Sequence, residues 1–139
     1  MRRSFGGVVL MLIVALAAAG CDPADPTTPT TPTPPVVPVT ETFAGALTVN
    51  GAVTYFFSAG TAGSVTATLT ALSPETVEVG LALGTWNGVI CQVVLANDKA
   101  IQGSVVTGSV SATGTLCVRL YDVGKLTQSN TFELVVVHP

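Results

Sequence analysis

Residues 64–71, SVTATLTA, place Val65, Ala67, Leu69 and Ala71 on one side of an extended chain and Thr66, Thr68 and Thr70 on the other. A period of two marks a half-buried β-strand, and no window of comparable length shows the 3.6-residue period of an amphipathic helix. The same reading predicts strands near 42–49, 53–58, 64–71, 77–83, 88–96, 101–111, 114–121 and 130–137. Asn50-Gly51, the glycine-rich 59–63, Ser73-Pro74, Asn87-Gly88, Asn97-Asp98 and Asp122-Val123-Gly124 separate them with residues that favour turns. Eight short strands in about a hundred residues predict an all-β fold, a single antiparallel β-sandwich nearly free of helix.

That alternation begins only near residue 41. Seven of the nine prolines lie in 22–40, DPADPTTPTTPTPPVVPVT. Proline fixes φ and has no backbone donor, so this tract is expected to be an extended polyproline stalk outside any sheet. Its nineteen residues can span up to ~60 Å at about 3.1 Å each. Ahead of it, residues 8–19 form an unbroken apolar run of twelve behind Arg2 and Arg3. The run is shorter than the roughly 18 residues of a membrane span and has the order of a secretory signal: basic start, apolar middle, small residues at a cut. The predicted organisation is a signal peptide over 1–20, a stalk over 21–40 and a β-sandwich domain over 41–139.

Ala18-Ala19-Gly20-Cys21 resembles the lipobox of bacterial lipoproteins, with Ala18 where leucine is usual. The resemblance implies that Cys21 is acylated on its thiol, becomes the mature N-terminus and joins the protein to membrane lipid. An ordinary signal-peptidase cut beside it would instead leave a free thiol. Arg2-Arg3-Ser4-Phe5 also matches the core of a twin-arginine signal, but Gly6-Gly7 follow where apolar and basic residues belong. Three cysteines are an odd number for an exported chain. Acylation of Cys21 leaves Cys91 and Cys117 to pair in an oxidising compartment. Alternation, however, puts Cys91 on the inward side with Val93 and Leu95, and Cys117 on the outward side with Arg119 and Tyr121. The bridge therefore needs a bulge or a strand end nearby.

The segment 42–72, TFAGALTVNGAVTYFFSAGTAGSVTATLTAL, together with GTLCVRLYDVG and TFELVVV further on, resembles the bacterial pre-peptidase C-terminal domain. The likeness covers most of 41–139 and implies a jelly-roll-like sandwich that accompanies secreted enzymes or surface proteins as a non-catalytic module. Some relatives bind polysaccharide or fibrous protein, and some use calcium.

Chemistry-bearing residues are few. Charged residues are 9% of the chain, against about 25% in an average globular protein. From Glu41 onward six acids and three bases give a net charge of −3, with no basic patch for nucleic acid. His138, the single histidine, stands next to last and reads as an exposed terminal side chain. Glu75 with Glu78, Asn97 with Asp98, and Asp122 supply one or two hard oxygen ligands each, where calcium takes six to eight. No protein metal site is predicted, and turn formation accounts for these acids.

Trp86 and Asn87, in the turn-rich Gly84–Gly88, are the candidate ligand-binding residues. An indole on a loop stacks on the apolar face of a sugar, and an amide can hydrogen-bond its hydroxyls. The competing reading is that Trp86 folds back to plug the core. Three functions follow: a non-catalytic lipoprotein binding polysaccharide or envelope protein, a subunit of a surface assembly joined through a sheet edge, and, last, a hydrolase. The hydrolase requires clustered carboxylates, which six scattered acids do not predict.

Overall fold

The structure, a computed structural model, describes residues 31–139; the predicted signal peptide over 1–20 and Cys21 lie outside them. All eight strands are present: β1 (Val39–Leu47), β2 (Ala52–Ala59), β3 (Gly63–Ser73), β4 (Val79–Trp86), β5 (Cys91–Ala100), β6 (Val105–Val110), β7 (Gly114–Tyr121) and β8 (Asn130–His138). They form two four-stranded antiparallel sheets, ordered β1-β8-β3-β6 and β2-β7-β4-β5. This double Greek-key order is that of a jelly-roll sandwich. β1 begins at Val39, so the proline-rich tract gives way to sheet two residues before the composition changes.

Alternation builds the core. Val65, Ala67 and Leu69 of β3, Leu81 and Leu83 of β4, Leu116, Val118 and Leu120 of β7, and Phe132, Leu134 and Val136 of β8 meet between the sheets. In β3 the pattern slips once: the register with β8 shifts between Leu69 and Ala71. Thr70 is the extra residue, and its hydroxyl donates to the Glu133 carboxylate at 2.8 Å. Leu72 therefore turns inward and Ala71, expected inside, is exposed.

β5 departs further from expectation. Asn97-Asp98 does not end the strand; it lies within it, where the pairing with β4 slips between Val79 and Leu81. The Asn97 side chain accepts from the Lys99 amide at 3.0 Å, so a turn-forming residue here makes a bulge. The turn comes later, at Ile101–Ser104, where Gly103 has a φ of 86°. A second slip, between Leu83 and Gly84, leaves Val94 without a partner.

The termini of the strands define two ends. The near end holds the start of β1, the 59–63 and 86–91 connections, the 110–114 turn and the end of β8. His138 is not exposed there, as expected of a fraying terminus, but 2% accessible. It pairs with Val39 in the ladder, and its Nε2 lies 3.0 Å from Glu41 Oε1. The Gly60 amide holds the Pro139 carbonyl at 3.0 Å. Strand pairing ties this end down.

At the far end Asp122 joins two loops distant in sequence. Its Oδ1 accepts the amides of Gly124, Lys125 and Leu126, and its Oδ2 accepts the Asn50 amide at 2.8 Å. Asn50 has a φ of 55°, the left-handed conformation that asparagine tolerates. The Asn50 amide foremost holds the Asp122 carboxyl below its ordinary value; burial opposes it, and the amides of Leu126, Lys125 and Gly124 add to the lowering. A carboxylate depressed on folding contributes stability that is full above the unfolded value of about 3.9 and is lost as pH falls through the folded one. Asp122→Asn is expected to lower the melting temperature at pH 7, and the gap from the parent protein should close as thermal scans move toward pH 3. A gap that stays constant with pH would assign the effect to packing.

Candidate functional site

The outer face of the second sheet is built on small residues of β4. Gly80, Ala82 and Gly84 alternate with core-facing Leu81 and Leu83, and all three are buried although they point away from the core. Two neighbours cover them. The Tyr121 ring occupies the place where a Cβ on Gly80 would stand, 2.2 Å from its carbons. The β5 backbone does the same at Gly84, with the Gln92 carbonyl oxygen 2.2 Å from that position. The start of β5 therefore leans over β4, and Val94, the unpaired residue, provides the kink.

This lean accounts for the cysteines. Cys91 opens β5 and Cys117 lies in β7, with β4 between them. Flat sheet geometry would separate strands once removed by roughly 9–10 Å. The fold brings the two Cα atoms to 5.8 Å and a disulfide joins them. Cys117 is on the outward side, as the alternation predicts, and fully buried. Cys91 does not share an inward side with Val93 and Leu95. Those two are exposed by 46% and 40%, because β5 is a bulged edge strand.

Trp86 is neither a loop-tip residue nor a plug in the core. It is the last residue of β4, opposite Cys91, half-exposed, with its ring stacked on Phe56 at 5.6 Å between centres and 18° between planes. Phe56, Cys117 and Gly84 form one row across β2, β7 and β4, so the aromatic pair and the disulfide share a neighbourhood. Asn87 is committed to its own turn: Oδ1 accepts the amides of Val89 and Ile90 at 2.9 and 2.8 Å. Its side-chain carbonyl is thus engaged within the turn.

The side of the sandwich where β5 and β6 meet carries an apolar groove of about 170 Å³. Val65 and Val110 from one sheet, and Leu83, Val94, Leu95 and Leu116 from the other, line most of it. Both strands are sheet edges with one ladder side unpaired. Around it Val93, Val94 and Leu95 stand exposed in succession, with no charge in β5 before Asp98.

Most acidic groups have structural partners. Asp98 accepts a short hydrogen bond from the Tyr121 hydroxyl. Burial first, and then that bond and the Asp98 charge, push the Tyr121 phenol up to about 12, while Arg119, 5.8 Å from the ring centre, opposes the shift. Glu133 accepts from Thr70, Glu41 meets His138, and Asp122 anchors its loops. Among the described residues, no three His, Cys, Asp or Glu side chains gather as a metal site would need. No protein-family model matches the chain, and no curated protein matches it in sequence.

Proposed function

We propose that this chain is an exported bacterial lipoprotein whose sandwich is a non-catalytic binding module. In this reading residues 1–20 are removed, Cys21 carries the acyl anchor, and the Pro/Thr tract presents the domain at the periplasmic or cell surface. The module takes an extended, uncharged segment of an envelope protein along the side where β5 and β6 meet. The observation that carries it is the succession Val93, Val94, Leu95, exposed by 46%, 70% and 40% beside an apolar groove. Uncovered apolar edges of this kind mark sites of strand addition or association. The bulge at Val94 interrupts the ladder, so affinity comes mainly from side chains entering the groove. The jelly-roll order agrees with the sandwich implied by the likeness to pre-peptidase C-terminal domains.

The test is capture from envelope fractions and insoluble polysaccharides by the acylated protein in detergent, with calcium and with chelator. An envelope protein should be retained, and Val94→Lys, at a residue already 70% exposed, should weaken retention by roughly tenfold or more. Retention on a glycan that survives Val94→Lys and disappears in Trp86→Ala would replace this reading with carbohydrate binding.

A further inference from the structure

We infer that the near end of the sandwich rests on the lipid bilayer, with Val89 and Ile90 in its interface. The inference rests on the lipoprotein reading above. It adds that the domain docks on the membrane to which it is tethered instead of standing clear of it.

Three observations converge on that end. The first is direction: the chain reaches the fold at Val39, the near-end terminus of β1, so the segment leading back toward Cys21 leaves from there.

The second is the distribution of charge. Glu75, Glu78, Asp98, Lys99, Asp122 and Lys125 lie in the far-end loops and strand ends, and Arg119 and Glu133 lie in the far halves of β7 and β8. Among the described residues, Glu41 is the one acidic or basic side chain of the near half apart from its partner His138. An excess of acids at the far end favours its pointing away from an anionic headgroup layer, and a near end almost without charge loses little hydration on approach.

The third is the apolar surface. The near end exposes Val89 by 79% and Ile90 by 56% at the tip of the β4–β5 hairpin, and Val37 by 78% beside β1. Half-exposed Trp86 and Phe56, 62% exposed, stand just above the tip. β1 and β5 occupy opposite sides of the sandwich, so the apolar points flank the near end as feet under a flat body. An aromatic ring above apolar tips is the arrangement that suits an interface, where the ring sits at headgroup depth.

Tethering supplies the proximity. Two exposed aliphatic side chains are a weak anchor in free solution, but attachment through Cys21 raises the local concentration of bilayer.

Trp86 is the single tryptophan of the chain, and it provides the readout. The acylated protein is reconstituted into phosphatidylethanolamine–phosphatidylglycerol vesicles carrying lipids brominated near the headgroup end of the acyl chain, and its emission is compared with that in unbrominated vesicles. Flotation of the protein with the vesicles, with Trp86 quenched, is the expected result. In Val89→Asp with Ile90→Asp, both at exposed positions, the protein should still float and quenching should be lost. Flotation without quenching in the parent protein would overturn bilayer contact and leave the tether standing. Trp86 shielded only as surface density rises would replace the bilayer by a second copy as the occupant. Absence from the floated vesicles would refute the lipid anchor and the inference with it.

Discussion

Replacing Cys91 and Cys117 together by alanine is expected to lower the free energy of unfolding by about 3 to 4 kcal/mol in urea titrations. The bridge closes 26 residues of chain, and releasing that loop returns conformational freedom to the unfolded state. The native state changes as well. Cys117 is fully buried in its row beside Phe56, and without the bridge only the β4 ladder keeps position 91 and Gln92 over Gly84. Trp86 stands opposite Cys91, so its fluorescence should report loosening of the hairpin at urea concentrations below the main transition. A loss under about 1 kcal/mol with no early fluorescence change would show that packing alone holds β5 across β4.

Gly84→Ala is expected to cost about 3 kcal/mol, at the upper end of the range for overpacking. The added methyl would stand 2.2 Å from the Gln92 carbonyl oxygen, 2.7 Å from its carbonyl carbon and 3.0 Å from the Val93 Cα. These are backbone atoms, so no rotamer change clears the space. The start of β5 must lift, and the disulfide at Cys91 resists it. Gly60→Ala is the matched control, because a methyl there meets nothing within 4 Å; its free energy of unfolding should stay within about 0.5 kcal/mol of the parent. Equal effects at the two positions would mean that β5 does not approach β4 as described.

Alternation made the strands legible because a half-buried strand needs an apolar residue at every second position. It failed at extra residues. Nothing in SVTATLTA marks Thr70 as a bulge, since the feature depends on Glu133 arriving from β8. In β5 alternation puts Val93 and Leu95 on the inward side, whereas the fold exposes both at a sheet edge, and edge position depends on topology that local pattern does not encode. The pairing of Cys91 with Cys117 followed from counting, but its geometry depends on the lean of β5, for which Gly80 and Gly84 were the available signal. Two glycines four apart in a strand, with Ala82 between them on the same face, mark a surface that a neighbour approaches closely. Stacking of Phe56 on Trp86 had no local signal, because β7 must come between β2 and β4 to align them. Asp122 read correctly as a turn residue, while its bond to the Asn50 amide, 72 positions away, is a tertiary fact.

The order of strands also sets when the molecule can close. Of six hydrogen-bonded strand pairs, only β4–β5 joins neighbours in sequence. β1 has β8 as its sole ladder partner, and β3 needs β8 on one side. A polypeptide emerging from its N-terminus thus carries seven strands and still lacks the nine residues that complete the first sheet. Folds dominated by such distant pairings form in milliseconds to seconds. Such wiring leaves the first sheet open until its last strand is delivered, so the two faces of the core can be sealed against each other only when the whole domain is available.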